Sequence, residues 1–284
     1  MSVYLDHAAT TPLRECALEA WTRAQRDLSA SPGNPAALHF GGRRARRMLE
    51  DAREQVGACL GADMHEVIFT SGATESDALG VMAAARAMRS RDAGRDLIVV
   101  SGAEHDAVAN QRQVAAREGF SWHVLPLGAD GVSDTDWGAG TGAGSAPTGR
   151  VAVGSMTLVS SEIGTIQPVE GFASRVHADG GLAHSDVAQA IATMDVSFRR
   201  MRVDLMSVGG HKVGAPAGIG VLVATRGIPM VTDRPGGGHE RAIRSGTPDV
   251  AGACALAAAL TEVVAERSAF AARAADLRAR LLSN

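Results

Sequence analysis

Asp204-Leu-Met-Ser-Val-Gly-Gly-His-Lys212 ends on the sequence's only lysine; the other 27 of its 28 basic residues are arginine. An arginine guanidinium stays protonated and cannot act as an amine nucleophile. A desolvated lysine can lose its proton and condense with a carbonyl. Composition offers a plainer account, in which an Arg-, Ala- and Gly-rich chain simply kept one lysine. The neighbours favour chemistry. Residues 203–208 are mostly apolar and predict a buried strand. Gly209 and Gly210 follow, then His211, Lys212 and the run Val213-Gly-Ala-Pro-Ala-Gly-Ile-Gly220. Open α/β sheets build ligand sites where a strand presents such a side chain at its carboxyl end. Glycine there lets the backbone approach a ring or a phosphate.

Outward from this stretch the same pattern repeats. Strands are expected at 66–70, 96–101, 121–127, 150–159, 182–186 and 203–208, with a hairpin partner at 219–224. Helices are expected at 13–27, about 37–60, 77–89, 106–118 and about 172–178, and over 250–282 as one long helix or two. A short strand is expected near Val3, running into a turn at Pro12. Arg43, Arg44, Arg46, Arg47 and Arg53 lie along the charged side of the second helix; a solvated face explains them, with anion binding the alternative. Residues 128–149 are too glycine-rich for a stable helix and read as a mobile surface excursion, or else a domain boundary. Strands alternating with helices indicate an α/β fold around a mostly parallel sheet covered on both faces. Gly72, His105, Ser160, Asp186 and Lys212 all fall at the carboxyl ends of predicted strands, a convergence stronger than any single motif.

Bulk properties narrow the function classes. The chain's 284 residues can bury one large core, or one large and one small domain. A net charge of −3 gives no reason to expect nucleic acid or an anionic membrane as partner. Cys16, Cys59 and Cys254 are far apart, which argues against disulfides and zinc, and no metal site is expected. No window has the length of a membrane span, so a soluble, cytoplasmic protein is expected.

The strand-end residues match the needs of pyridoxal 5'-phosphate: an imine-forming lysine, a carboxylate near the pyridinium nitrogen, a flat group against the ring and donors for the phosphate. Lys212, Asp186, His105 and the turn Gly72-Ala-Thr74 supply these in turn. Each has a duller reading, with Asp186 a turn former, His105 a helix cap, His211 a packed histidine and the Gly72 turn a capped helix start. Jointly, and with the sole lysine among them, the cofactor reading is preferred.

The segments that carry these residues resemble the class V aminotransferase family, in its cysteine desulfurase branch. They are Tyr4-Leu-Asp-His-Ala-Ala-Thr-Thr-Pro12, Gly33-Asn-Pro35, Phe69-Thr-Ser-Gly-Ala-Thr-Glu-Ser76, Glu104-His105, Glu162-Ile-Gly164, Asp186-Val-Ala-Gln189, Gly210-His-Lys212, Gly236-Gly-Gly-His-Glu-Arg241 and Arg244-Ser-Gly-Thr247. They run in the family's order over nearly the whole chain. The resemblance implies the large domain of a fold-type I pyridoxal phosphate enzyme, with a seven-stranded type of sheet and helices on both faces. It implies that Lys212 anchors the cofactor and that His105 stacks on its ring and helps move protons. Asp186 would meet the pyridine nitrogen and Gln189 the phenolic oxygen. Ala73, Thr74 and His211 would hold the phosphate, with Thr247 reaching in from the second subunit of a homodimer. Ser161 and Gly209 occupy further cofactor positions, and Asn34 a substrate position.

Three departures qualify it. Ser160 and Ser161 stand where the family has paired asparagines, and Gly209 where it commonly has serine. Each lost contact weakens cofactor binding by roughly 1 kcal/mol. The family's nucleophilic cysteine and its substrate-binding arginine, which lie in a C-terminal small domain, have no match here. Residues 1–15 are accordingly expected to be a segment of a vestigial small domain, 16–250 the cofactor domain and 251–284 a helix leading toward the missing part. The leading expectation is an enzyme converting L-cysteine to L-alanine with sulfur transfer, a second chain being one source of the catalytic cysteine. The alternatives are an aminotransferase or lyase that needs no cysteine, and a non-catalytic cofactor-binding subunit.

Overall fold

The protein is described by a computed structural model covering residues 3–137 and 147–283. In chain order it contains α1 (Glu15–Ala30), α2 (Phe40–Leu60), β1 (Val67–Thr70), α3 (Ala73–Ala78), a π-helical turn (Leu79–Ala83), α4 (Ala84–Arg91) and β2 (Leu97–Ser101). There follow α5 (Asp106–Ala109), α6 (Arg112–Arg117), β3 (Ser121–Leu125), β4 (Val151–Ser155), α7 (Val169–Ala178), β5 (Leu182–Asp186) and α8 (Phe198–Met201). Last come β6 (Leu205–Gly209), a 3-10 turn (Gly210–Lys212), β7 (Gly220–Ala224) and α9 (Val250–Ser283).

The seven strands form one sheet in the order β1-β7-β6-β5-β4-β2-β3. Only β7 runs against its neighbours, β1 and β6; every other pair is parallel. Burial on both faces follows from the period of two in the strands. Val67, Phe69, Leu97, Val99, Met206 and Val208 pack into the layer of α1, α2, α7 and α9. Ile68, Ile98, Val100, Leu205 and Leu222 pack into the opposite layer, with the helical stretch 73–91. Because β1, β2, β4, β5 and β6 run the same way, their carboxyl ends meet on one edge. That edge is the site.

Four expectations are corrected. Residues 3–6 form no strand; Thr11 N–H instead bonds the His211 carbonyl at 3.1 Å and Arg14 N–H that of Gly214 at 2.9 Å, so this segment lies across the lysine turn rather than in the sheet. Arg53 is not on a solvated face. It is buried, its guanidinium reaching both carboxylate oxygens of Glu240 at 2.7 and 2.8 Å and the Val67 carbonyl at 2.8 Å, above the Phe69 ring. Arg43, Arg46 and Arg47 are exposed, and Arg44 pairs with Asp27 at 2.8 Å. The first part of the glycine-rich segment, residues 128–137, is not a free excursion. Ser133 bonds Ser101 and Gln167, and Trp137 is buried edge-on against Phe172 with its indole N–H on Asp179. Residues 138–146 of that segment lie outside the described residues. The helix expected from residue 77 begins at Ala73 and carries the π turn Leu79–Ala83, for a reason that lies in the site.

Candidate active site

At the shared edge of the parallel strands a cavity of about 340 Å³ is lined by the ends of five strands and by Ala9. Ala73, Thr74, His105, Ser161, Asp186, Gln189, His211 and Lys212 all line it, so the fold brings together eight of the eleven residues expected from the sequence. Gly209 does not line it but lies beside residues that do; a Cβ there would meet the Ala73 and Lys212 side chains at 3.4 and 3.6 Å, ordinary contacts. Asn34 and Thr247 are exposed and do not line it. The Asn34 carboxamide instead accepts from Ala36 N–H at 2.9 Å.

Each lining group is placed by local structure. Gly72, at φ +151°, takes a conformation that side chains disfavour. It turns the chain from β1 into α3, so the first-turn N–H groups of Ala73 and Thr74 open on the cavity at a positive helix end. His105 caps α5: its Nδ1 accepts from Ala107 N–H at 3.1 Å, which leaves the ring proton on Nε2. Asp186 ends β5 with its carboxyl group buried, one oxygen accepting from Ala188 N–H at 2.8 Å. Burial pushes the Asp186 carboxyl above its ordinary range; the Ala188 bond and the neighbouring His105 and Lys212 pull it back.

Lys212 closes the 3-10 turn after β6, and its Nζ donates to the Ala8 carbonyl, which also accepts from the Gln189 amide at 2.8 Å. Desolvation lowers the lysine below its usual value, while the Asp186 and Asp6 carboxylates oppose the shift. His211 is likewise lowered by desolvation, then by Lys212, and its Nδ1 lies 3.1 Å from Thr10 Oγ1. An amine with a weakened hold on its proton, a buried carboxyl, an imidazole and a turn of free N–H groups thus face one volume. These groups fit pyridoxal phosphate: Lys212 for its aldehyde, Asp186 for its ring nitrogen, and Ala73, Thr74 and His211 for its phosphate.

Several residues escaped the sequence reading. Ser71, Glu75, Ala103, Thr157, Val159 and Ala188 also line the cavity. Behind it a polar chain joins the buried residues Asp77, Ser155, His184 and Ser207 to Glu104, a half-buried residue whose carboxyl end is buried. Part of its signal was available, since Ser155 and Ser207 interrupt the otherwise apolar strands β4 and β6. Among the described residues no cluster of His, Cys, Asp and Glu could hold a metal ion.

Fold and site define an enzyme of the lysine-anchored, pyridoxal-phosphate-dependent class. The class V aminotransferase model matches residues 3–283, and the chain belongs to that family, in its cysteine desulfurase branch. It is 40% identical over 281 residues to an IscS-like cysteine desulfurase of Mycobacterium tuberculosis, covering 98% of this chain and 70% of that protein. It is 33% identical over 264 residues to a putative cysteine desulfurase of Bacillus subtilis, covering 91% and 65%. Among solved structures, a NifS-like protein superposes with a TM-score of 0.89 at 32% identity, covering all of this chain and 75% of that one. SspA in complex with cysteine superposes with a TM-score of 0.80 at 29% identity, covering 92% and 72%. The chain therefore spans about two thirds of the length of these curated relatives.

Proposed function

We propose that the protein acts on L-cysteine with pyridoxal phosphate, releasing L-alanine and passing sulfur to an acceptor thiol. The observation that carries this is the convergence of Lys212, Asp186 and His105 on one cavity. The likeness to cysteine desulfurases, one of them solved with cysteine, supports the choice of substrate. When bound, pyridoxal phosphate supplies an electron sink beside the substrate's α-carbon. Lys212 Nζ, its proton loosened by desolvation, anchors the cofactor and then carries a proton to and from that carbon. His105 covers the ring face and offers Nε2 as the second proton-moving atom. Asp186 keeps a negative charge beside the ring nitrogen, and Gln189 donates to the phenolic oxygen. Ala73 and Thr74 N–H groups with His211 bind the phosphate, and Ser161 and Gly209 complete its surroundings. Thr247, outside this chain's own cavity, reaches the phosphate of a second subunit in a homodimer. The protein works in the cytoplasm.

The acceptor thiol is not one of this chain's three. Cys16, Cys59 and Cys254 do not line the cavity. Burial, with help from Glu262, pushes the Cys16 thiol up to about 11. Burial and nearby carboxylates do the same for Cys254. A thiol in that range is a poor nucleophile at neutral pH. We infer that sulfur leaves to a cysteine outside these 284 residues, one source being a second chain. The same observation favours a second reading, an aminotransferase or lyase reaction that needs no cysteine.

Purified protein supplied with pyridoxal phosphate is expected to show a visible absorbance band that Lys212→Ala loses. With L-cysteine and an added small thiol it is expected to release alanine and sulfide. A colourless protein overturns the cofactor reading, and amino-group transfer to a keto acid without sulfide selects the second reading.

A further inference from the structure

The chain behind the cavity can be followed atom by atom. Glu104 Oε1 lies 3.0 Å from Ser155 Oγ, which lies 2.9 Å from His184 Nδ1. His184 Nε2 lies 2.8 Å from Ser207 Oγ and 3.6 Å from Asp77 Oδ1. These groups come from five places: Asp77 from α3, Glu104 from the β2 exit, Ser155 from β4, His184 from β5 and Ser207 from β6. The imidazole fits because residue 80 is glycine. A Cβ there would stand 2.5 Å from His184 Cδ2.

Donors for these carboxylates are few: Glu104 has the Ser155 hydroxyl and the Thr157 N–H, and Asp77 only the Ser207 hydroxyl. Both oxygens of Asp77 and Oε2 of Glu104 are buried and make no well-formed hydrogen bond. An ionised carboxylate in that position forfeits its hydration for little in return, whereas a neutral acid loses far less. His184 cannot compensate as a cation, because full burial pushes it down to about 3. Asp186, by contrast, accepts from the Ala188 N–H and has the Lys212 ammonium nearby.

We propose that Glu104 is a positioning residue of the site, held as a neutral acid through Ser155 and His184 so that, of the carboxyl groups of Asp77, Glu104 and Asp186, the last alone carries charge beneath the cavity. The hydroxyls and the imidazole allow two proton arrangements. With Glu104 neutral, its O–H donates to Ser155 Oγ, the Ser155 O–H donates to Nδ1 of His184, and Nε2–H donates to Ser207. With Glu104 ionised every bond reverses: Ser155 donates to Glu104, Nδ1–H donates to Ser155 and Ser207 donates to Nε2. The tautomer of His184 therefore reports the proton on Glu104. Burial, then the Asp186 charge, push Glu104 up to about 8, while Ser155 and the Thr157 N–H pull it down. Like charges close together in a dry site do not both form cheaply.

The functional part of this inference rests on the pyridoxal phosphate reading; the proton arrangement does not. Nitrogen-15 NMR of histidine-labelled protein, with His184 identified by His184→Gln, is expected to show the Nε2–H tautomer at neutral pH. It should change to Nδ1–H with a midpoint of about 8. Glu104→Gln should stay Nε2–H at every pH, since its amide donates to Ser155, and Ser155→Ala should uncouple the tautomer from pH. An Nδ1–H tautomer at neutral pH, or an unchanged transition in Glu104→Gln, overturns the proposal. With pyridoxal phosphate added, the absorbance of wild type and Glu104→Gln should coincide at neutral pH and separate above about 8, wild type holding its proton to higher pH. Coincidence at every pH overturns the influence on the cavity. A colourless protein sinks the cofactor reading and leaves the tautomer to decide the relay.

Discussion

Glu104 and His184 bind protons oppositely to their unfolded counterparts, and stability must follow. Between its ordinary value of 4.5 and about 8, Glu104 holds a proton in the native state that the unfolded chain has released. Native protein then binds the extra proton, so this group's contribution to stability falls as pH rises through that window. Measured against Glu104→Gln, wild type is expected to lose about 1.4 kcal/mol per pH unit there, with parallel curves above it. Denaturant midpoints across the pH range read this, and a constant difference between the two proteins would contradict it. His184 has the opposite sign: it is lowered from 6.5 to about 3, so its contribution is lost as pH falls below 6.5. At this scale the sequence exposed Lys212 by its solitude and Asp186 and His105 by their strand-end positions. It hid Glu104, because a glutamate at a loop start looks solvated until the fold buries its carboxyl group.

The helix elements show how a few contacts fix the geometry. Residues 240, 241 and 242 take left-handed φ values of 45°, 59° and 58°, which non-glycine residues adopt at a cost. The turn is held because the Glu240 carboxylate, itself buried, accepts from Arg53 and from Phe69 N–H at 2.7 Å. Arg53→Ala strands that carboxylate and is expected to destabilise the protein by about 3–5 kcal/mol, read from the denaturant midpoint. On the opposite layer, the π turn Leu79–Ala83 sets Gly80 over His184. Gly80→Ala gains about 1 kcal/mol of helix propensity. It also drives a methyl into an imidazole bonded at both nitrogens, and overpacking costs about 1–3 kcal/mol. A net loss of stability and a disturbed His184 resonance are expected. Periodicity announced both helices, yet it could not tell Arg53 from its exposed neighbours, because the partner lies 187 residues away in sequence.

Over the whole molecule, the first half of α9 is buried to Val263 against α1 and α2, whereas Phe270, Leu277, Leu281 and Leu282 of its second half are exposed. Val3 and Leu5 of the N-terminal segment are exposed as well, at 79% and 83%. Apolar surface of this kind favours association. The protein is expected to run larger than a monomer on sizing and to shift toward monomer in a Leu277→Glu/Leu281→Glu variant; an unchanged monomer would contradict this. Local pattern by itself determined the α/β class, the seven strand positions and the strand-end lysine, carboxylate and histidine, since each depends on residues close together in the chain. Tertiary structure alone decided that Asn34 and Thr247 stand apart from the cavity, that Arg53 is interior, and that Asp77, Glu104 and His184 share one dry space. Burial and like-charge proximity are properties of neighbours in space, and no spacing along the chain encodes them.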